Sequence, residues 1–92
     1  MKYRNSLLIT ADILEASAGA GRNGIQITSL ITKSNLSHPR LSKFLENLIG
    51  GGLINKIEFD GKNTFVITEK GRLYLQEYRK FHDLATGFGL EL

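Results

Sequence analysis

The placement of glycine constrains this chain most, because its glycines divide 92 residues into short, separately capped segments. Gly19, Gly21 and Gly24 form one break, and Gly50-Gly51-Gly52 form a second. Gly61 follows Asp60 in a third, and Gly87 and Gly89 end the last periodic stretch. A chain of this length supports one core, so it is too short for a dinucleotide-binding domain or a barrel. The absence of cysteine excludes disulfides, thiolate chemistry and cysteine-ligated zinc. No apolar run approaches the roughly 18 residues of a membrane span. Asp12 and Glu15 interrupt the apolar start, so an intracellular protein is expected.

The segments between breaks have distinct periods. Leu7, Ala11, Leu14 and Ala18 recur at helical spacing and predict a helix over 5–18, capped by Asn5 or Ser6. Gly19 to Gly24 reads as a flexible connection. Ile25-Gln26-Ile27 alternates and predicts a very short strand, after which Thr28 is placed to cap a helix over 28–35. Asn35-Leu36 predicts a tight turn. Ser37 then caps a helix over 37–50, with Pro39 in its first turn, where a missing N–H costs nothing. Leu41, Phe44, Leu45, Leu48 and Ile49 form its apolar face, and the triple glycine predicts a fraying last turn. A hairpin follows over 53–67, with Ile57 and Phe59 on one side of its first strand. Its turn is read as Asp60-Gly61-Lys62-Asn63. Thr68 caps a last helix over 69–86, with Glu69 suited to the helix dipole. The sum is one α+β domain over 1–92, without repeats or low-complexity tracts.

Charge sharpens this outline. Residues 1–59 hold seven basic and four acidic side chains, and residues 60–92 hold five of each. The whole net charge of +3 therefore lies in the first part. No acidic residue occurs between Glu15 and Glu46, whereas Arg22, Lys33, Arg40 and Lys43 all fall there. A polyanion meets least repulsion on that stretch.

Two helices joined by a tight turn, followed directly by a hairpin, predict a helix-turn-helix with a wing. Opposite the apolar face of the helix over 37–50 stand Pro39, Arg40, Lys43, Glu46 and Asn47. Arg40, Lys43 and Asn47 are spaced i, i+3 and i+7. Arginine takes guanine bidentately, asparagine takes adenine and lysine suits phosphate or guanine. Glu46 opposes phosphate, although a glutamate accepts from cytosine N4. Ser37 and His38 occupy the first turn, where a phosphate would lie, and Lys33 and Lys62 are placed for backbone contact. An amphipathic helix with an ordinary solvated face is the competing account.

The run Ile31-Thr32-Lys33-Ser34-Asn35-Leu36-Ser37 with Leu41-Ser42-Lys43-Phe44-Leu45 resembles the helix-turn-helix of archaeal winged-helix proteins. Gly52-Leu53-Ile54, Phe65-Val66-Ile67-Thr68-Glu69-Lys70-Gly71, Tyr74-Leu75 and Tyr78 resemble that family's strand, wing and last helix. Tyr3-Arg4 and Ala11-Asp12-Ile13-Leu14 fit as well, so the resemblance covers nearly the whole chain. The family includes a small chromatin-associated DNA-binding protein and many transcriptional regulators inferred from sequence. It implies a winged helix-turn-helix with a three-helix core, a hairpin wing and a long C-terminal dimerisation helix. It further implies binding to double-stranded DNA by a homodimer, often joined by a coiled coil, with Lys33, Arg40, Lys43, Asn47 and Lys62 facing DNA. The triple glycine departs from the family's pattern, as do Glu58 and Asp60, which dilute Lys62 on the wing.

Tyr74, Tyr78, Phe81, Ala85 and Phe88 are spaced 4, 3, 4 and 3, an a/d pattern. Tyr74 is expected to pack on its own domain. Tyr78, Phe81, Ala85 and Phe88 are expected to meet a partner helix. Phe88, Leu90 and Leu92 alternate along the tail, which is expected to pack back or add to that contact.

Other signals dissolve on inspection. Gly19-x-Gly21-x-x-Gly24 satisfies a dinucleotide-binding pattern, but it follows a helix and lies outside any βαβ unit. His38 and His82 lack a neighbouring acidic pattern, so no catalytic or metal site and no cofactor is expected. The sequence therefore predicts a non-enzymatic, cytoplasmic and nucleoid-associated DNA-binding protein. A winged-helix protein–protein adaptor is the alternative.

Overall fold

The computed structural model describes residues 6–90. The predicted cap at Asn5, the Tyr3-Arg4 pair and Leu92 lie outside the described residues. Helix α1 spans Ser6–Ala20 and leads through a 3-10 turn at Gly21–Asn23 into α2, Ile27–Ser34. Helix α3 spans His38–Gly50, strands β1 and β2 span Ile54–Phe59 and Lys62–Ile67, and α4 spans Glu69–Gly87. No helix among the described residues is long and apolar enough to cross a membrane.

Helix α1 lies at the centre, against α2, α4 and β2. Its buried residues are Ile9, Ala11, Ile13, Leu14 and Ser17, while Leu7 is exposed. A single apolar stripe through Leu7 was the wrong template, because a helix packed on several sides buries a broad arc. Ser17 enters that arc by donating its hydroxyl to the Ile13 carbonyl at 2.9 Å. Ile25, Leu30, Leu36, Leu41, Leu45, Leu48, Ile54, Phe65, Ile67 and Leu75 complete the core.

The connection after α1 is anchored rather than flexible. Ile25 and Phe65 exchange both backbone hydrogen bonds at 2.9 Å, and the Thr64 hydroxyl donates to the Asn23 carbonyl at 2.6 Å. Gly24, at φ +82, packs so close to Thr64 that a Cβ would collide with its side chain. The glycine pattern is thus a backbone seat against β2. Only Ile25 acts as strand, and Ile27 already belongs to α2. The cap position accordingly falls on Gln26, whose side chain makes no capping bond, rather than on Thr28.

The turn between α2 and α3 follows the sequence closely. Asn35 adopts a left-handed conformation (φ +57), which its short polar side chain tolerates. Ser37 accepts a hydrogen bond from the Arg40 amide at 3.4 Å, and Pro39 sits in the first turn. At the other end of α3 the triple glycine does not fray. Leu53 N–H bonds the Leu48 carbonyl at 2.9 Å and Gly52 N–H bonds the Ile49 carbonyl at 3.0 Å, a Schellman closure around Gly52 at φ +78. The Thr68 hydroxyl donates to the Gly52 carbonyl at 2.6 Å, and Lys70 Nζ donates to the Gly51 carbonyl at 2.7 Å. The end of the helix is tied to the start of α4.

The hairpin turn is shorter than predicted. Phe59 pairs with Lys62, leaving Asp60 (φ +54) and Gly61 (φ +76) as a two-residue turn with both residues left-handed. Lys62 and Asn63 are strand residues. The base of the hairpin is buried through Ile54, Phe65 and Ile67, whereas Phe59 at the tip is exposed. The distal half therefore projects as a wing.

Thr68 caps α4, accepting from the Gly71 amide at 3.0 Å. Gly71 is buried against the Leu53 carbonyl and Ile67, where a Cβ has no room. At the far end, Leu90 N–H bonds the Ala85 carbonyl and Gly89 N–H bonds the Thr86 carbonyl, both at 2.9 Å. With Gly89 at φ +76 this is a second Schellman closure.

Candidate nucleic-acid interface

The exposed face of α3 forms because Leu41, Leu45 and Leu48 turn the other face into the core. Arg40, Lys43 and Asn47 stand together on it and, with Ser6 and Thr10 of α1, line a shallow cavity of about 470 Å3. The start of α1 is thereby brought beside the basic residues, a neighbour that the spacing within α3 did not reveal. Neither Arg40 nor Lys43 makes a side-chain hydrogen bond or ion pair among the described residues. Two unpaired cations and an amide therefore face solvent.

The other predicted contact residues are dispersed around this centre. Ser37 spends its hydroxyl on capping, and His38 Nδ1 lies 3.4 Å from the Ser42 hydroxyl. Lys33 belongs to a separate groove, with Thr28, Ser29 and Thr32 of α2. Lys62 is exposed beside the turn of the wing.

Sequence reasoning missed Lys56. It stands on β1 and, with Ser42, Glu46 and Asn63, rims a cleft between α3 and the hairpin. Lys56 shares a sheet face with Ile54, Phe65 and Ile67, and the hairpin's docking on α3 brings it to the same cleft as Glu46.

Helix α4 has a different character. Lys70 bonds the Gly51 carbonyl, Arg79 pairs with Glu15 at 3.1 Å and Lys80 pairs with Glu77 at 3.4 Å. Tyr74 packs on the domain as expected, donating its hydroxyl to the Leu7 carbonyl at 3.2 Å. Burial pushes its phenol above the ordinary value, Tyr78 adds to the shift and a hydrogen bond with Thr10 opposes it. Tyr78 stacks on Tyr74 with ring centroids 6.4 Å apart and belongs to the same intrachain seam.

Ala85 corrects the predicted partner face. It is 4% exposed within the single chain. Phe81 (51%) and Phe88 (76%) are exposed as expected, and so are Leu73 (55%) and Leu84 (60%). At 100° per residue these four fall within an arc of about 80°, adjacent to the seam of Tyr74, Tyr78 and Ala85. The a/d positions Tyr74, Tyr78 and Ala85 lie in the seam, and the exposed apolar stripe runs beside it.

Three helices about a helix-turn-helix, a projecting hairpin and a fourth, longer helix define the winged helix-turn-helix class. The model of that family matches residues 3–86, and the chain belongs to the family. Among solved structures, the chain is similar to Sso10a-2, a DNA-binding protein from Sulfolobus solfataricus. That match has a TM-score of 0.76 and 23% identity, covering 92% of this chain and 85% of the other. SSV1 F-93 matches with a TM-score of 0.64 and 20% identity, over 87% of this chain and 91% of that one. A comparison with curated protein sequences finds no match.

Proposed function

We propose that the protein binds double-stranded DNA as a homodimer, with α3 in the major groove and no catalytic role. The observation that carries this reading is the grouping of Arg40, Lys43 and Asn47, without competing intrachain ion pairs, on the exposed face of α3 beside the start of α1. Unpaired cations release counterions on meeting phosphate, whereas paired ones must first break a contact. Lys33 and the hydroxyls of Thr28, Ser29 and Thr32 extend the surface toward one strand's backbone, and Lys62 extends it from the wing. The description of Sso10a-2 as DNA-binding supports the same reading.

Dimerisation is assigned to Leu73, Phe81 and Leu84 of α4 and to Phe88 just after it. Four large apolar side chains in one stripe leave water favourably when a second copy covers them. Two copies also double a contact set that is small per subunit. A transcriptional regulator or a nucleoid-associated chromatin protein in the cytoplasm both use this arrangement.

Titrating duplex DNA across salt concentrations tests the proposal. With Arg40, Lys43, Lys33 and Lys62 each on a phosphate, the log–log slope is about −3 to −4 per subunit. Binding that ignores salt, or none at low salt, overturns it. An adaptor function is favoured by Glu58 and Asp60 at the wing tip, and capture of a protein partner that survives reversal of Arg40 and Lys43 identifies that case.

A further inference from the structure

The cleft between α3 and the hairpin joins an apolar floor to one acidic and one basic side chain on its rim. Its apolar lining is Ile27, Leu45, Ile49 and Phe65. Above it, Glu46 projects from α3 and Lys56 from β1, carrying opposite charges on opposite walls. Neither makes an ion pair or side-chain hydrogen bond among the described residues, so they flank one cleft without reaching each other. The cavity beside Arg40 and Lys43 and the groove at Lys33 have positive charge alone. The cleft between α1 and α4 contains Glu15 and Arg79, but these already pair.

We infer that this cleft binds a small zwitterion with an apolar body, namely an amino acid with a branched aliphatic or aromatic side chain. Its ammonium group would take the Glu46 carboxylate, its carboxylate would take Lys56 and the side-chain amide of Asn63, and its side chain would cover the exposed Ile49. Each charge on the rim then gains a charge-assisted hydrogen bond that the chain itself does not supply. The cavity of about 270 Å3 lies just under the range for drug-sized ligands and suits a metabolite of this size. Glu46, unfavourable toward phosphate, thereby acquires a role. In so far as α3 and the wing bind DNA, which rests on the proposal above, an occupant fills the space between them and weakens that binding.

The test is a titration of the DNA-free protein with L-leucine and L-phenylalanine, followed by amide NMR. Saturable shifts are expected at Ser42, Ile49, Lys56 and Asn63. Isovalerate and isoamylamine, which each lack one charge, should bind about tenfold more weakly, as should either amino acid to Glu46→Gln and Lys56→Gln. Absence of saturable shifts overturns the inference, and so does binding indifferent to both substitutions. Because no DNA is present, failure here leaves DNA binding standing, and failure to bind DNA leaves this site standing. In DNA titrations the amino acid should lower affinity in wild type and lose that effect in Glu46→Gln.

Discussion

The α3–wing face and the α4 surface have similar basic content but use it in opposite ways. On the first, Arg40, Lys43, Lys56 and Lys62 are unpaired among the described residues, and Leu41, Leu45 and Leu48 beneath them are turned into the core. On the second, Lys70, Arg79 and Lys80 are engaged within the chain, with Arg72 the exception among the described residues, and Leu73, Phe81, Leu84 and Phe88 are left in water. The first surface offers mostly unpaired charge, with Ile49 and Phe59 as its exposed hydrocarbon, and the second offers mostly paired charge beside a longer apolar stripe. Net charge conceals the difference, because what a surface binds depends on which groups lack partners.

Reversing the free charges should produce the largest effect. Arg40→Glu with Lys43→Glu removes two phosphate contacts per subunit and adds repulsion in their place. DNA affinity should fall by about a hundredfold or more in a fluorescence anisotropy titration, with sedimentation unchanged. Retained affinity would make the contrast between the surfaces meaningless for DNA.

The strap between the surfaces comes next. Gly71→Val places a branched side chain against the Leu53 carbonyl and Ile67, and overpacking of this kind costs about 1–3 kcal/mol. Urea unfolding should show that loss. Unchanged stability would mean that α4 can retreat from the end of α3, and that the two regions are not rigidly joined.

Two substitutions on α4 separate the stripe from the seam. Phe81→Asp should give a monomer by sedimentation with little change in the stability of the single chain. Ala85→Asp buries a charge and should destabilise the chain itself by about 2 kcal/mol or more. If both variants behave alike, the stripe and the seam are a single surface. The smallest effect is expected for Arg79→Gln, which breaks an exposed pair worth about 0.2–1 kcal/mol and should leave DNA affinity within about twofold. A large loss of affinity would place Arg79 with the unpaired cations.

Much of the fold was legible locally. Ser37, Pro39 and Thr68 mark helix starts, Asn35 and the Asp60-Gly61 pair mark turns, and each does so through its own side chain or φ preference. Arg40, Lys43 and Asn47 were legible as one face because helical geometry repeats regardless of context. The misses involve contacts distant in sequence. Gln26 rather than Thr28 precedes α2 because Ile25 is held by Phe65, forty residues away. The last turn of α3 is firm because Thr68 and Lys70 reach its carbonyls. Lys56 faces Glu46 only because the hairpin lies on α3.

The sequence by itself determined where this protein turns, which helices it forms, and that its positive charge precedes residue 60. These follow from short-range sterics, capping and composition. Tertiary structure alone decided which cations lack partners, that Ala85 is covered while Leu84 is not, and that the glycine-rich connection is a seat for β2. Partnership and burial belong to pairs of surfaces, and a sequence specifies those pairs only once the chain has packed.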